Sequence, residues 1–243
     1  GIDLSSFQRA KKPGSLRNRL NVSADAPILL TVGRMDPEKR LDFIVDAFVQ
    51  ISKKIPNAQL VFAGDGSARK KLEEKVNALD VKNNIHFLGM VNRNDLPDVF
   101  HDATVFLSAS TTEVHPISVI EAIASGLPLV AVQDEAFEGM LEDGMNGYST
   151  PLDVNVYAET IIKLLQDKKK IESFGKHSAL LSEKYSIEGQ VKALEKLYTE
   201  AILQNWRGNF ISRMIPKEIK ELNKIPGKIT QEITKILPKR KNK

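Results

Sequence analysis

Cysteine is absent from the 243 residues. That removes disulfides and thiolate metal ligands together and leaves a reducing compartment open to the chain. Histidine is scarce as well: His86, His101, His115 and His177 stand apart without metal-ligand spacing, so no metal site is expected. No apolar run approaches the ~20 residues of a membrane-spanning helix. The chain opens at Gly1-Ile2-Asp3-Leu4 with no methionine, basic stretch or apolar stretch of a signal peptide, so it reads as a cytoplasmic fragment or processed piece. The dinucleotide fingerprint is incomplete too. Gly64-Asp65-Gly66 has Arg69 where the third glycine belongs and follows the second strand, which argues against a nicotinamide-dependent oxidoreductase.

Against these absences, 42% apolar content is ordinary for a folded core. The net charge of +4 hides an asymmetry. Residues 204–243 hold 11 Lys and Arg against 3 Asp and Glu, a net of +8, so residues 1–203 carry −4. A mildly acidic domain thus bears a basic tail. In the tail, Ile229, Ile233, Ile236 and Leu237 fall at helical spacing among Lys228, Lys235, Lys239, Arg240 and Lys241, while Pro216, Pro226 and Pro238 divide it. That pattern suits an anionic membrane surface at the inner face of a membrane, a partner, or a solvated end. Nucleic acid is not expected, because the tail lacks interleaved aromatics and the domain is acidic.

Residues 1–25 are polar, broken by Pro13 and Gly14, and read as a lead-in linker. From residue 26 to 203 the chain alternates short apolar runs with amphipathic stretches. Strands are predicted at 27–33, 59–63, 85–89, 104–107 and 129–132, with a short sixth at 147–149; helices are predicted at about 41–51, 68–79, 94–101, 117–124, 154–166, 168–184 and 186–203. Continuously apolar strands alternating with helices imply a doubly wound, Rossmann-like parallel sheet of about six strands, covered on both faces. In such a sheet ligands bind beyond the carboxyl ends of the strands, where Gly33, Gly64, Gly89 and residues 108–113 fall.

The chemistry-bearing residues gather at those ends. Arg34 and Lys39 follow the first strand and suit a phosphate, although loop cations are most often merely solvated. Gly64-Asp65-Gly66-Ser67 reads as a tight turn, with Asp65 or Ser67 capping the next helix and close backbone approach to a ligand left open. Glu113 lies before a short helix and Glu121 about one turn into it, so the pair flanks a helix N-terminus suited to phosphate. Two carboxylates also occur in glycosidases. Their placement about a helix terminus fits hydroxyl binding better than proton transfer, and a helix-surface place for Glu121 stays open. For His115, between the two acids, ligand contact and solvent exposure both stay open.

Taken in order, Gly33-Arg34-Met35 with Glu38-Lys39, Phe62-Ala63-Gly64-Asp65-Gly66, Phe87-Leu88-Gly89, and the Glu-x7-Glu of Glu113 and Glu121 running into Ala122-Ile123-Ala124-Ser125-Gly126-Leu127-Pro128 resemble the donor-binding half of retaining GT-B glycosyltransferases of family 4. The resemblance covers about residues 1–203. It implies the C-terminal half of a GT-B fold and a catalytic group of Arg34, Lys39 and Glu113: the two cations would hold the donor diphosphate without a metal, and Glu113 would bind the donor hexose. It further implies that Glu121 binds the ribose, that backbone at Gly89, Met90 and Val91 meets the base, and that Ile117, Ser118 and Val119, with Gly33, Gly64, Gly66 and His115, complete the nucleotide-sugar site. Members commonly carry glycines where this chain has Val114, His115 and Pro116.

The function these readings imply is retaining, metal-independent hexosyl transfer from a nucleotide-diphosphate sugar such as a UDP-hexose to a lipid or glycan acceptor. It needs no cofactor besides the donor and is incomplete without an N-terminal acceptor domain. The alternative is a non-catalytic nucleotide-sugar-binding or membrane- or partner-docking module.

Overall fold

The computed structural model describes residues 3–111 and 116–207, the side chains as far as residue 201. Residues 1–190 form one compact unit and 191–243 a second. The first holds a six-stranded, all-parallel sheet of β1 (Ile28–Val32), β2 (Gln59–Ala63), β3 (Ile85–Gly89), β4 (Val105–Ser108), β5 (Leu129–Val132) and β6 (Gly147–Thr150). Their order is β3-β2-β1-β4-β5-β6. All six predicted strands are present, and the fold is the doubly wound Rossmann-like sheet expected.

Alternation along the strands explains why the runs are apolar without a break. Leu29, Leu60, Phe62, Val105, Leu107, Val130 and Val132 face one core, while Ile28, Leu30, Val61, Ala63, Phe106, Leu129 and Ala131 face the other. The first core is closed by α2 (Leu41–Lys54), α3 (Arg69–Asn77), α6 (Val154–Gln166) and α7 (Lys168–Ser182). In it Tyr157 is fully buried, and its hydroxyl donates to the carbonyls of Val130 at 3.0 Å and Ser108 at 3.2 Å. The second is closed mainly by α4 (Leu96–Asp102) and α5 (Ile117–Ala124).

Of residues 1–25, expected as a lead-in linker, those described, 3–25, lie on the domain. Leu4, Phe7 and Leu16 are buried in the second core, and α1 (Ser15–Leu20) sits beside α4. Two buried carboxylates of α4 gather this backbone. Asp98 accepts from the amides of Lys11 at 2.6 Å and Lys12 at 2.8 Å. Asp102 accepts from Gly14 at 2.7 Å, Leu16 at 2.8 Å and Arg17 at 3.4 Å. The α1 start has no side-chain cap of its own, so Asp102 supplies the acceptors its first amides need.

A last helix, α8 (Ile187–Arg207), runs through the boundary expected at 203/204. The amphipathic tail around Ile229 to Leu237 lies outside the described residues. None of the described helices is long and apolar enough to cross a membrane.

Asp102→Ala leaves the amides it gathers without acceptors, at about 1–3 kcal/mol for each buried donor, and is expected to lower the unfolding free energy in a urea titration by about 2–4 kcal/mol. A change within about 0.5 kcal/mol, that of an ordinary surface substitution, would contradict this anchoring.

Candidate functional site

At the carboxyl ends of β1, β2 and β3 the sheet's hydrogen bonding continues into the loops. Gly33 N–H donates to the Ala63 carbonyl at 3.0 Å, Gly64 N–H to Gly89 at 2.9 Å, Met35 N–H to Asp65 at 2.9 Å, and Ala68 N–H to Met35 at 2.7 Å. This closeness requires glycine. A Cβ on Gly64, whose φ is +142°, would stand 1.9 Å from the Gly33 carbonyl oxygen, and one on Gly66 would stand 2.6 Å from the Met35 carbonyl oxygen. The capping expected of Asp65 or Ser67 is not found: α3 begins after Ala68 with no side-chain cap. Asp65 instead accepts from Gly66 N–H and Arg69, and the Ser67 hydroxyl donates to Asp36 at 2.9 Å. The turn is bound to the loop after β1, so its polar groups serve loop-to-loop packing.

That arrangement fixes a cleft between the ends of β1 and β4, where successive crossovers leave for opposite edges of the sheet. Gly33, Arg34, Met35 and Lys39 line one wall; Ser108, Ala109 and the first turn of α5, through Pro116, Ser118 and Val119, line the other. An adjoining hollow shares Gly33 and Arg34 and is completed by Gly64, Asp65, Met90, Val91 and Leu96. Arg34 therefore stands at the junction of both. Its side chain is 77% exposed and meets Asp36 at 3.0 Å and Glu38 at 3.9 Å. Asp36 is held below the usual carboxylate range by the Ser67 hydroxyl, then by the Ser67 amide, with Arg34 and Lys39 adding smaller pulls. Cations on one wall and a helix start on the other can receive an anionic group.

Glu121 is the unusual group. It lies in a mostly apolar stretch, Ile117–Ala124, with only 3% of its surface exposed. Burial raises its carboxyl above the ordinary range, and Arg93 pulls the other way. The Arg93 guanidinium donates to its Oε1 at 3.1 Å from the loop after β3. The surface-helix alternative for Glu121 is thereby excluded. Nearby, the Ser110 hydroxyl at the end of β4 is buried without a hydrogen-bond partner among the described residues.

Of the residues singled out by sequence, Gly33, Arg34, Lys39, Ser118 and Val119 share the cleft, and Gly64, Met90 and Val91 share the hollow with Gly33 and Arg34. Ile117 is 53% exposed and lines neither, whereas Gly66 and Gly89 serve the loop contacts. Glu113 and His115 lie outside the described residues. Sequence reading missed Arg93: it stands among polar loop residues 28 positions from Glu121, and nothing local marks it.

The profile of the family described as "Glycosyl transferases group 1" matches residues 14–181. The alpha-monoglucosyldiacylglycerol synthase of Acholeplasma laidlawii is 28% identical over 209 residues, covering 84% of this chain and 52% of that protein. The pneumococcal O-GlcNAc transferase GtfA, solved with UDP and GlcNAc, matches with a TM-score of 0.65 and 25% identity over 74% of this chain and 37% of that one. Anabaena HepE, solved with UDP and glucose, matches with a TM-score of 0.71 and 23% identity over 82% of this chain and 55% of that one, a likeness of fold. The chain spans about half the length of the first curated relatives it matches.

Gly64→Ala must push the β1 and β2 ends apart, and overpacking of this kind costs about 1–3 kcal/mol on top of the backbone strain. Gly144, with φ +74° and open space where its Cβ would lie, supplies the control. Gly144→Ala should cost only the ~1–2 kcal/mol of a left-handed backbone. Urea unfolding is expected to show the larger loss for Gly64→Ala; equal losses would contradict the contact.

Proposed function

The chain belongs to the group 1 glycosyl transferases, and from that premise we propose that it is the donor-binding half of a retaining, metal-independent hexosyltransferase of family 4 that uses a UDP-hexose. The observation that carries the reading is the convergence of Arg34 and Lys39 with the first turn of α5 on one cleft at the β1 and β4 ends. An extended nucleotide sugar offers matching chemistry. Its diphosphate meets the two cations and the helix start, its base fits the hollow beside Met90 and Val91, and its ribose hydroxyls meet the buried Glu121 carboxylate.

In this reading the protein's part in catalysis is electrostatic. Charge builds on the departing diphosphate as the glycosidic bond breaks, and Arg34 and Lys39 oppose it where it forms, so a metal is not required for that task. Arg34 reaches the diphosphate by exchanging Asp36 and Glu38 for phosphate oxygens, an exchange of one charge-assisted contact for another. Glu113 takes the hexose hydroxyls, and His115, two positions on in sequence, is assigned to the same donor. The donor is the only small molecule this cleft is proposed to hold.

The acceptor is proposed to be a diacylglycerol-type lipid. The synthase named for such a lipid in A. laidlawii supports this, together with the tail's net charge of +8. The same tail favours the second reading, a module that docks on an anionic membrane at its inner, cytoplasmic face.

Calorimetry with UDP is expected to give saturable binding without added metal. Arg34→Ala with Lys39→Ala should weaken it by about 10- to 100-fold, since one charge-assisted hydrogen bond is worth about 1.5–3 kcal/mol and 1.4 kcal/mol is tenfold. Binding that ignores the double substitution would remove the diphosphate assignment. In vesicle flotation with anionic lipid, the full chain is expected to float and a chain ending at residue 203 to stay behind; equal flotation would remove the membrane role.

A further inference from the structure

Arg93, which the donor reading has not used, stands where the leading segment, the loop after β3 and α5 meet. Its guanidinium donates to Glu121 Oε1 at 3.1 Å, and its charge lies 5.8 Å from the centre of the Phe7 ring. Phe7 is itself buried edge-on against Phe100 of α4, with ring centres 5.7 Å apart. Asp3, in the same leading segment, is also within electrostatic reach of Arg93. The Arg93 side chain remains 65% exposed while the Glu121 side chain is 4% exposed, so a surface cation reaches down to a buried anion. The leading segment is not free to drift, because Asp98 and Asp102 hold its backbone on α4.

We propose that Arg93 is the positioning residue for Glu121: braced by Phe7, it fixes the buried carboxylate in the ionised form and orientation that accept the ribose hydroxyls. The ribose part rests on the donor-site reading above; the coupling of the two side chains does not. A carboxylate accepts from two neighbouring hydroxyls, whereas a protonated carboxyl must donate one hydrogen itself and loses an acceptor position. Burial alone drives Glu121 toward the protonated form, and a cation within hydrogen-bonding distance opposes that. Among the described residues, Arg93 is the charged group shown to act on Glu121. α7, packed against α5, meets that region through Gly175 and Ser178, which contact Gly126 and Leu127. Glu113 and His115 lie outside the described residues.

The sign of the pH effect follows. Without the guanidinium the carboxyl titrates at higher pH than in the parent. Between the two midpoints the variant holds a neutral Glu121 while the parent holds an anion, and above both the two converge in charge. UDP affinity of the 243-residue chain is therefore to be measured from pH 5.5 to 8.5 for the parent, Arg93→Gln, Arg93→Lys and Glu121→Gln. Expressing each as a ratio to the parent removes the titration of the nucleotide's own phosphate. Arg93→Gln is expected to lose more affinity at the acid end of the range than at its alkaline end, by up to about tenfold, the worth of one charge-assisted hydrogen bond. Arg93→Lys should stay near the parent throughout, and Glu121→Gln should be weak at every pH.

A loss in Arg93→Gln that is the same at every pH, or is shared by Arg93→Lys, means a structural role only and overturns the proposal, as does no loss at all. Melting curves over the same range need no nucleotide. A buried carboxyl with a raised pKa destabilises the fold as pH climbs through its titration. The deficit of Arg93→Gln relative to the parent should therefore widen with pH and flatten when Glu121→Gln is added. Failure of the parent to bind UDP would sink the donor reading alone, and a flat melting deficit would sink the coupling alone.

Discussion

Two strand ends approach each other so closely that no side chain fits between them. A Cβ on Gly64 would lie 1.9 Å from the Gly33 carbonyl oxygen, inside any tolerable contact. With glycine at both ends, hydrogen bonding runs past the strands, from Gly33 to Ala63 and from Gly64 to Gly89. Gly66 then lets the next turn seat on Met35, and Asp36 ties Ser67 and Arg34 to the same loop. The cation that serves both the cleft and the hollow is thus carried on a loop held at several points. A loop with the same charges but no such contacts would spend its affinity on ordering itself.

Behind that surface lies a second constraint, the burial of Glu121. An anion in an apolar helix costs free energy unless something pairs with it. Among the described residues, that partner is Arg93. Because Arg93 also lies over Phe7, the leading segment, the loop after β3 and the middle of α5 converge there. The polar network is small and reaches across 28 positions of sequence, joining the loop after β3 to α5.

The sheet was legible because most of its strands are short, largely apolar runs ended by glycine or a polar turn. The β1 sequence Ile-Leu-Leu-Thr-Val and the β5 sequence Leu-Val-Ala-Val leave little else possible. The cations after β1 were legible by position, since strand ends are where a parallel sheet receives ligands. What escaped was long-range. Asp98 and Asp102 look like ordinary helix acids until the backbone 85 to 88 positions away folds onto them. Residues 1–25 looked like a linker because their three buried residues, Leu4, Phe7 and Leu16, are scattered among polar ones. The cap expected from Asp65 or Ser67 failed for a tertiary reason: the loop after β1 took the Ser67 hydroxyl.

The central claim, a nucleotide-diphosphate site spread across the β1 and β4 ends, is tested most directly by following backbone amide signals in a nitrogen-15 NMR titration of the chain with UDP. The account predicts that the amides of Gly33, Arg34, Lys39, Met90, Val91, Ser118 and Val119 shift together and saturate at one concentration, while those at the opposite, amino ends of the strands, such as Ala58 and Asn84, stay still. Shifts at the amino ends, or a titration that leaves Gly33, Arg34 and Ser118 unmoved, would contradict it.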